Sequence, residues 1–140
     1  MYATKMREDY IYTRTLLPLF AAALLVSCAA SPETQAKMDE YARTIPICSS
    51  DAECQRKWSL AREWTVENSD FNIRGEGDTR IHASSNIISQ GGVGVVVTKV
   101  ANGANEFQIV ADLECFSAYG CPDIWDLKID FNQTLNNAAE

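Results

Sequence analysis

The chain is poor in histidine, the side chain most often used as a general base. It has one histidine, His82, and no motif sets a serine or a thiol beside that ring, so a histidine-activated nucleophile finds no support. His82 reads instead as a surface or half-buried strand residue. No Walker, dinucleotide-binding, H-E-x-x-H or G-x-S-x-G pattern occurs. The glycines of "RGEGD" and Gly91-Gly92-Val93-Gly94 lack the spacing and the following helix of a phosphate loop. Basic residues are scarce: 12 Lys and Arg stand against 19 Asp and Glu, for a formal net charge of −7. Such a surface repels nucleic acid phosphates and anionic headgroups, so no nucleic acid partner is expected. Asp112, Glu114, Asp123, Asp126 and Asp130 cluster in sequence without the alternating ligands and central glycine of a calcium loop, and read as a solvated acidic rim. There is no internal repeat, no low-complexity tract, and no apolar run approaching the roughly 20 residues that cross a hydrocarbon core.

What the chain does have is the composition of one ordinary folded domain, with 140 residues of which 46% are hydrophobic. Near its start, Lys5, Arg7 and Arg14 precede an apolar run from Leu16 to Val26 that is only 11 residues long and contains Pro18. This is the length of a signal-peptide core and too short for a membrane span. The run closes on Leu25-Val26-Ser27-Cys28, which resembles a lipobox, the recognition site of bacterial lipoprotein signal peptidase, with Cys28 at +1. The resemblance implies cleavage of residues 1–27 and a covalent lipid on Cys28. It also implies an outer-membrane address facing the periplasm, because Ala29 stands at +2 where inner-membrane-retained lipoproteins show Asp; the outer face of the inner membrane is the alternative. An ordinary secretory signal cut at Ser27, Ala29 or Ala30 is the competing reading. The basic segment is long and contains Glu8 and Asp9, which makes Met6 an alternative start. Loss of residues 1–27 would leave a net charge of −8, so membrane attachment would come from the lipid, for which two or three acyl chains suffice.

Assigning Cys28 to lipid leaves Cys48, Cys54, Cys115 and Cys121, an even set in an oxidising compartment. Of the three pairings, the two C-x5-C spacings favour local bridges, Cys48 to Cys54 and Cys115 to Cys121, each contributing roughly 2 to 3 kcal/mol. C-x5-C fits neither zinc ribbons nor the C-x-x-C of redox pairs. No metal and no cofactor beyond the lipid is expected.

Residues 28–47 read as the lipidated cysteine and a tether, with one or two helical turns using Met38, Tyr41 and Ile45; residues 48–140 read as a single globular domain. The clearest helix begins after Ser50, an N-cap with Glu53 in a capping box, and runs to about Glu67. One arc carries Cys54, Trp58, Leu60, Ala61, Trp64 and Thr65, interrupted by Lys57, which reaches Glu53. Trp58 and Trp64 are candidate ligand-binding residues, although aromatics at helical spacing are more often core. Short strands follow, "FNIRG" with Phe71 and Ile73 inward, a turn at Gly75-Glu76-Gly77-Asp78, and "TRIHA" with Ile81 and Ala83 inward. "GVGVVVTKV" reads as a central strand buried on both faces. Asn102-Gly103 predicts a two-residue hairpin in which Lys99 faces Glu106, Thr98 faces Phe107 and Val96 faces Ile109; a four-residue loop would set Val100 opposite Phe107. Residues 123–136 fit a strand, through Trp125, Leu127, Ile129 and Phe131, or a helix capped by Asp123 with Ile124, Leu127, Phe131 and Leu135 in a stripe. Three aspartates in ten residues favour the helix.

The segments "CQRKWSLAREW", "VVVTKV" and the C-x5-CP of Cys115 to Pro122 resemble a group of small uncharacterised proteobacterial envelope lipoproteins, which brings no active-site residues. The expected fold is α+β, a small antiparallel sheet of three or four strands packed by one or two helices with two local disulfides. The expected role is a non-enzymatic structural or accessory interaction module of the cell envelope, with an envelope protein as partner and the membrane reached through the anchor. The alternative is a carrier or sensor that binds a small apolar or aromatic ligand between sheet and helix.

Overall fold

The computed structural model describes residues 30–85 and 91–138; the leader, Cys28 and their expected processing lie outside the described residues. The elements are α1 (Pro32–Thr44), β1 (Ile47–Cys48), α2 (Asp51–Asn68), β2 (Gly75–Glu76), β3 (Arg80–Ala83), β4 (Val93–Ala101), β5 (Phe107–Cys115) and α3 (Ile124–Asn137). The strands form one antiparallel sheet in the order β1-β5-β4-β3-β2. The fold is therefore α+β. The sheet has five strands instead of three or four because two-residue strands, too short for any alternating pattern, extend both edges.

Helix α2 starts as its capping residues require. The Ser50 hydroxyl accepts from the Glu53 N–H (3.3 Å), and the Glu53 carboxylate accepts from the Ser49 N–H (3.0 Å) and pairs with Lys57 (2.9 Å). Lys57 is buried and also donates to the Ile47 carbonyl at 2.5 Å, so its charge and its donors are both engaged inside the fold. The Cys48–Cys54 bridge joins β1 to the first turn of this helix, and Cys115–Cys121 closes the loop after β5.

The register of the β4–β5 hairpin differs from the one Asn102-Gly103 predicts. Ala101 stands opposite Phe107, Lys99 opposite Ile109 and Val100 opposite Gln108, so five residues, 102–106, make the connection. The Asn102 N–H donates to the Glu106 carbonyl (2.8 Å) and its side-chain amide to the Glu106 carboxylate (2.6 Å). Asn105 takes the left-handed conformation (φ 64°), which asparagine tolerates. Moving each partner by three residues changes which face is shared. Val95 and Val97, not Val96, lie with Ile109, Ala111 and Leu113 beneath the helices, and with Ile81 and Ala83 they form the core.

Burial of β4 on both faces holds only at Val93, Gly94 and Val95; Val96 is half-buried and Val100 exposed, because no described helix covers the second face. The strand expected over "FNIRG" contracts to Gly75–Glu76, with the turn moved to 77–79 and Phe71 and Ile73 half-buried. Before it, Asp70 fastens the end of α2 to β4 by accepting from the Val93 N–H (2.6 Å). Gly92 (φ 139°) is needed there, since a Cβ would lie 2.5 Å from that of Asp70.

Residues 124–137 are helical. Asp123 caps them through the Trp125 and Asp126 N–H groups (2.9 and 3.3 Å), and Phe131 and Leu135 are fully buried. The expected tether also changes: residues 32–44 are a 13-residue helix, and the compact unit begins at Glu33. Its last carbonyls, orphaned as at any helix end, are met by α3. The Asn132 amide donates to the Tyr41 carbonyl and the Thr44 hydroxyl (both 3.1 Å), and Asn136 donates to the Thr44 carbonyl (2.8 Å). Lys37 pairs with Asp123 and Asp126 (both 2.8 Å). These bonds to the two carboxylates raise the Lys37 pKa. Pro46, fully buried, ends the segment, and its carbonyl accepts from the Ile109 N–H (2.9 Å).

Three outcomes test this packing. Ser50→Ala should cost about 0.5–2 kcal/mol in urea denaturation. The Ser49 N–H and then the Lys57 ammonium hold the Glu53 carboxyl below its ordinary pKa. A lowered folded pKa contributes stability above the unfolded pKa that is lost as pH falls through the folded value, so Glu53→Gln should lose less stability than the parent between about pH 7 and about pH 3. Separately, Asn132→Ala should raise amide exchange in residues 32–44 while leaving residues 51–68 protected, as followed by mass spectrometry.

Candidate functional site

A groove lined by described residues opens beside the first turns of α2. It measures about 500 Å³, and its walls include Asp51, Gln55, Trp58, Asp78, Lys99 and Phe107. A hollow of about 340 Å³ continues it past Ser49, Ser50 and Asn105, sharing Asp51, Cys54 and Phe107. The fold brings these groups together from three directions. Trp58 lies two turns into α2, Lys99 stands near the end of β4 on the helix side, and Phe107 begins β5 opposite Cys48. The Lys99 ammonium sits 4.9 Å from the centre of the Trp58 ring, a cation–π contact worth about 0.5–1 kcal/mol where exposed. Phe107 stays 36% exposed.

This arrangement can receive a flat or apolar group against Trp58 and Phe107 and can orient it with one ammonium and the Asp51 and Asp78 carboxylates. It offers no free thiol at Cys54, which is in a disulfide. Among the described residues no group of three or more His, Cys, Asp and Glu could hold a metal ion.

Of the two tryptophans singled out in the sequence, the fold brings only Trp58 to the groove. Trp64 is 3% exposed, donates its indole N–H to Asp130 (2.7 Å) and meets the Phe131 ring edge-on at 5.1 Å between centroids. Its place is the core between α2 and α3. Lys99 and Phe107 escaped the sequence reading because the two-residue hairpin set Lys99 opposite Glu106 and Phe107 opposite Thr98. The exposed asparagines around Gly103 were the available sign of a longer loop.

The acidic residues do not form one cluster. Asp123 and Asp126 bind Lys37, Asp130 binds Trp64, Asp112 lies 3.3 Å from Lys128, and Glu114 is exposed. His82 is half-buried on β3. Tyr41 has a raised pKa, chiefly from burial and secondarily from Asp112. Among the described residues no helix is long and apolar enough to cross a membrane. No protein-family model, curated protein or solved structure matches the chain.

The division between the tryptophans has a stability signature. Trp64→Ala should cost about 3–5 kcal/mol in urea denaturation, and Trp58→Ala roughly 1–2 kcal/mol for its half-buried ring. Equal costs would contradict the placement.

Proposed function

We propose that the chain is a lipid-anchored envelope protein whose domain is a non-enzymatic structural or accessory interaction module. The observation that carries this reading is the pairing of the cysteines. Cys48 with Cys54 and Cys115 with Cys121 account for four of the five, which makes Cys28 the odd one, directly behind an apolar run of signal-peptide length. Two disulfides suit an exported protein, because thiols stay reduced in the cytosol. The Ala29 position favours the outer membrane on its periplasmic face, with the outer face of the inner membrane as the second address.

Helix α1 shortens the expected tether. With residues 32–44 folded, the four residues 28–31 reach at most about 14 Å, so an anchored domain would stay close to the lipid. Its acidic surface would resist direct contact with anionic headgroups, leaving its outward surfaces for an envelope protein. The open Trp58 groove favours one other reading, a carrier or sensor of a small apolar or aromatic ligand.

The anchor is tested by the intact mass of the protein from the membrane fraction. Loss of residues 1–27, added acyl mass and four fewer hydrogens are expected, whereas an unacylated product beginning elsewhere would overturn the proposal. Cys28→Ala should release or misprocess the protein with the fold intact. Crosslinking in intact cells should capture a reproducible protein partner. No partner, with tryptophan fluorescence that shifts on adding envelope-derived small molecules, would favour the carrier.

A further inference from the structure

The sheet face turned away from the helices carries a second set of groups. The antiparallel register places His82 of β3, Val96 of β4 and Asp112 of β5 in one row across the sheet, with Gly94 opposite Glu114 in the next. Arg80 and His82 thus flank one side, and Asp112 and Glu114 the other. Two strand spacings separate the flanks, about 10 Å between backbones. Between them lies a hollow of about 260 Å³ floored by Gly94 and Val96 and closed at one end by Ser84 and Ser85.

Glycine at 94 lets Ser84 lie over the strand at one end of the hollow. A Cβ there would come 2.4 Å from the Ser84 hydroxyl oxygen, so any side chain would displace the serine that lies over the strand. Ser84 is only 8% exposed, and its hydroxyl has no hydrogen-bond partner among the described residues. This hydroxyl lines the hollow. The Arg80 guanidinium, the His82 ring and the Glu114 carboxylate likewise make no ion pair or side-chain hydrogen bond among the described residues. Elsewhere the fold uses its charges: Lys37, Lys57 and Arg62 all have carboxylate partners, and at the edge of the hollow Lys128 of α3 already pairs with Asp112 (3.3 Å).

The geometry points to a binding site for a small zwitterion of dipeptide size. Its carboxylate would meet Arg80, whose planar fork matches two carboxylate oxygens, together with His82 and the Ser84 hydroxyl. Its ammonium would meet Glu114. An extended dipeptide is about 7 Å long, which fits between flanks about 10 Å apart once the side chains reach inward. The volume lies below the roughly 300–1,000 Å³ of sites for drug-sized ligands. Val96 offers an apolar floor suited to small side chains such as those of alanine. The site lies on the opposite face of the sheet from the Trp58 groove and does not depend on lipidation of Cys28.

His82 is the one histidine of the chain, so its ring resonances report on this hollow without further assignment. The full chain would be titrated with alanyl-alanine, with N-acetyl-alanyl-alanine and with alanyl-alanine amide while the His82 signals are followed by NMR. Alanyl-alanine should shift them saturably, and each blocked form should bind at least about tenfold more weakly for the loss of one charged contact. Arg80→Gln should abolish the discrimination between alanyl-alanine and its amide, and Glu114→Gln the discrimination against the acetylated form. Both side chains are exposed, and circular dichroism should show the fold retained in both variants. No saturable shift, equal binding of the three compounds, or discrimination unchanged in the two variants would each overturn the proposal.

Discussion

The seating of helix α2 across the sheet is the constraint from which the remaining packing follows. At its first turn the Cys48–Cys54 bridge ties it covalently to the edge strand β1. Farther along, Trp64 meets Phe131 edge-on and donates to Asp130, joining it to α3. At its end Ser69 donates to the Ala83 and Val93 carbonyls, and Asp70 accepts from the Val93 N–H. With the helix held at three places, Ala61 and Trp64 join Val95, Val97, Ile109 and Ala111 in one buried cluster. Dispersion and burial then reward close fit over this one face, and α1 is added on the outside through the α3 asparagines.

Legibility in the sequence tracked how local each determinant was. The start of α2 was readable because Ser50, Glu53 and Lys57 lie within two turns and act on one another. The local disulfides were readable from two equal spacings, and α3 from an aspartate that caps better than it pairs in a strand. The hairpin was misread because Asn102 bonds to Glu106, four residues on, and overrides the turn preference of the Asn-Gly pair. Helix α1 was underestimated since its own sequence buries no residue fully; its docking depends on Asn132 and Asn136, about ninety residues away. The edge strands are two residues each and leave no periodic trace. For the candidate sites the same rule holds. Trp58 was visible on its helix, but its partners Lys99 and Phe107 depend on the hairpin register, and the hollow at Gly94 depends on three strands meeting.

Among the described residues the two faces of the sheet give the domain two chemically different surfaces. The groove at Trp58 is aromatic and lies where a helix leaves the sheet edge uncovered. The hollow at Gly94 is polar, with charges of opposite sign on its two sides. Both are built on strands and helix turns held from several directions, which suits recognition.

The account rests most heavily on which cysteines are joined, because the same pairing seats α2 and makes Cys28 the odd thiol. The most direct measurement is a peptide map of the protein digested with trypsin without reduction. Each bridge falls within one tryptic peptide, residues 44–56 and residues 100–128. The account predicts both peptides unlinked to each other, each two hydrogens lighter than its reduced form. A disulfide between these two peptides, or one that includes Cys28, would contradict it.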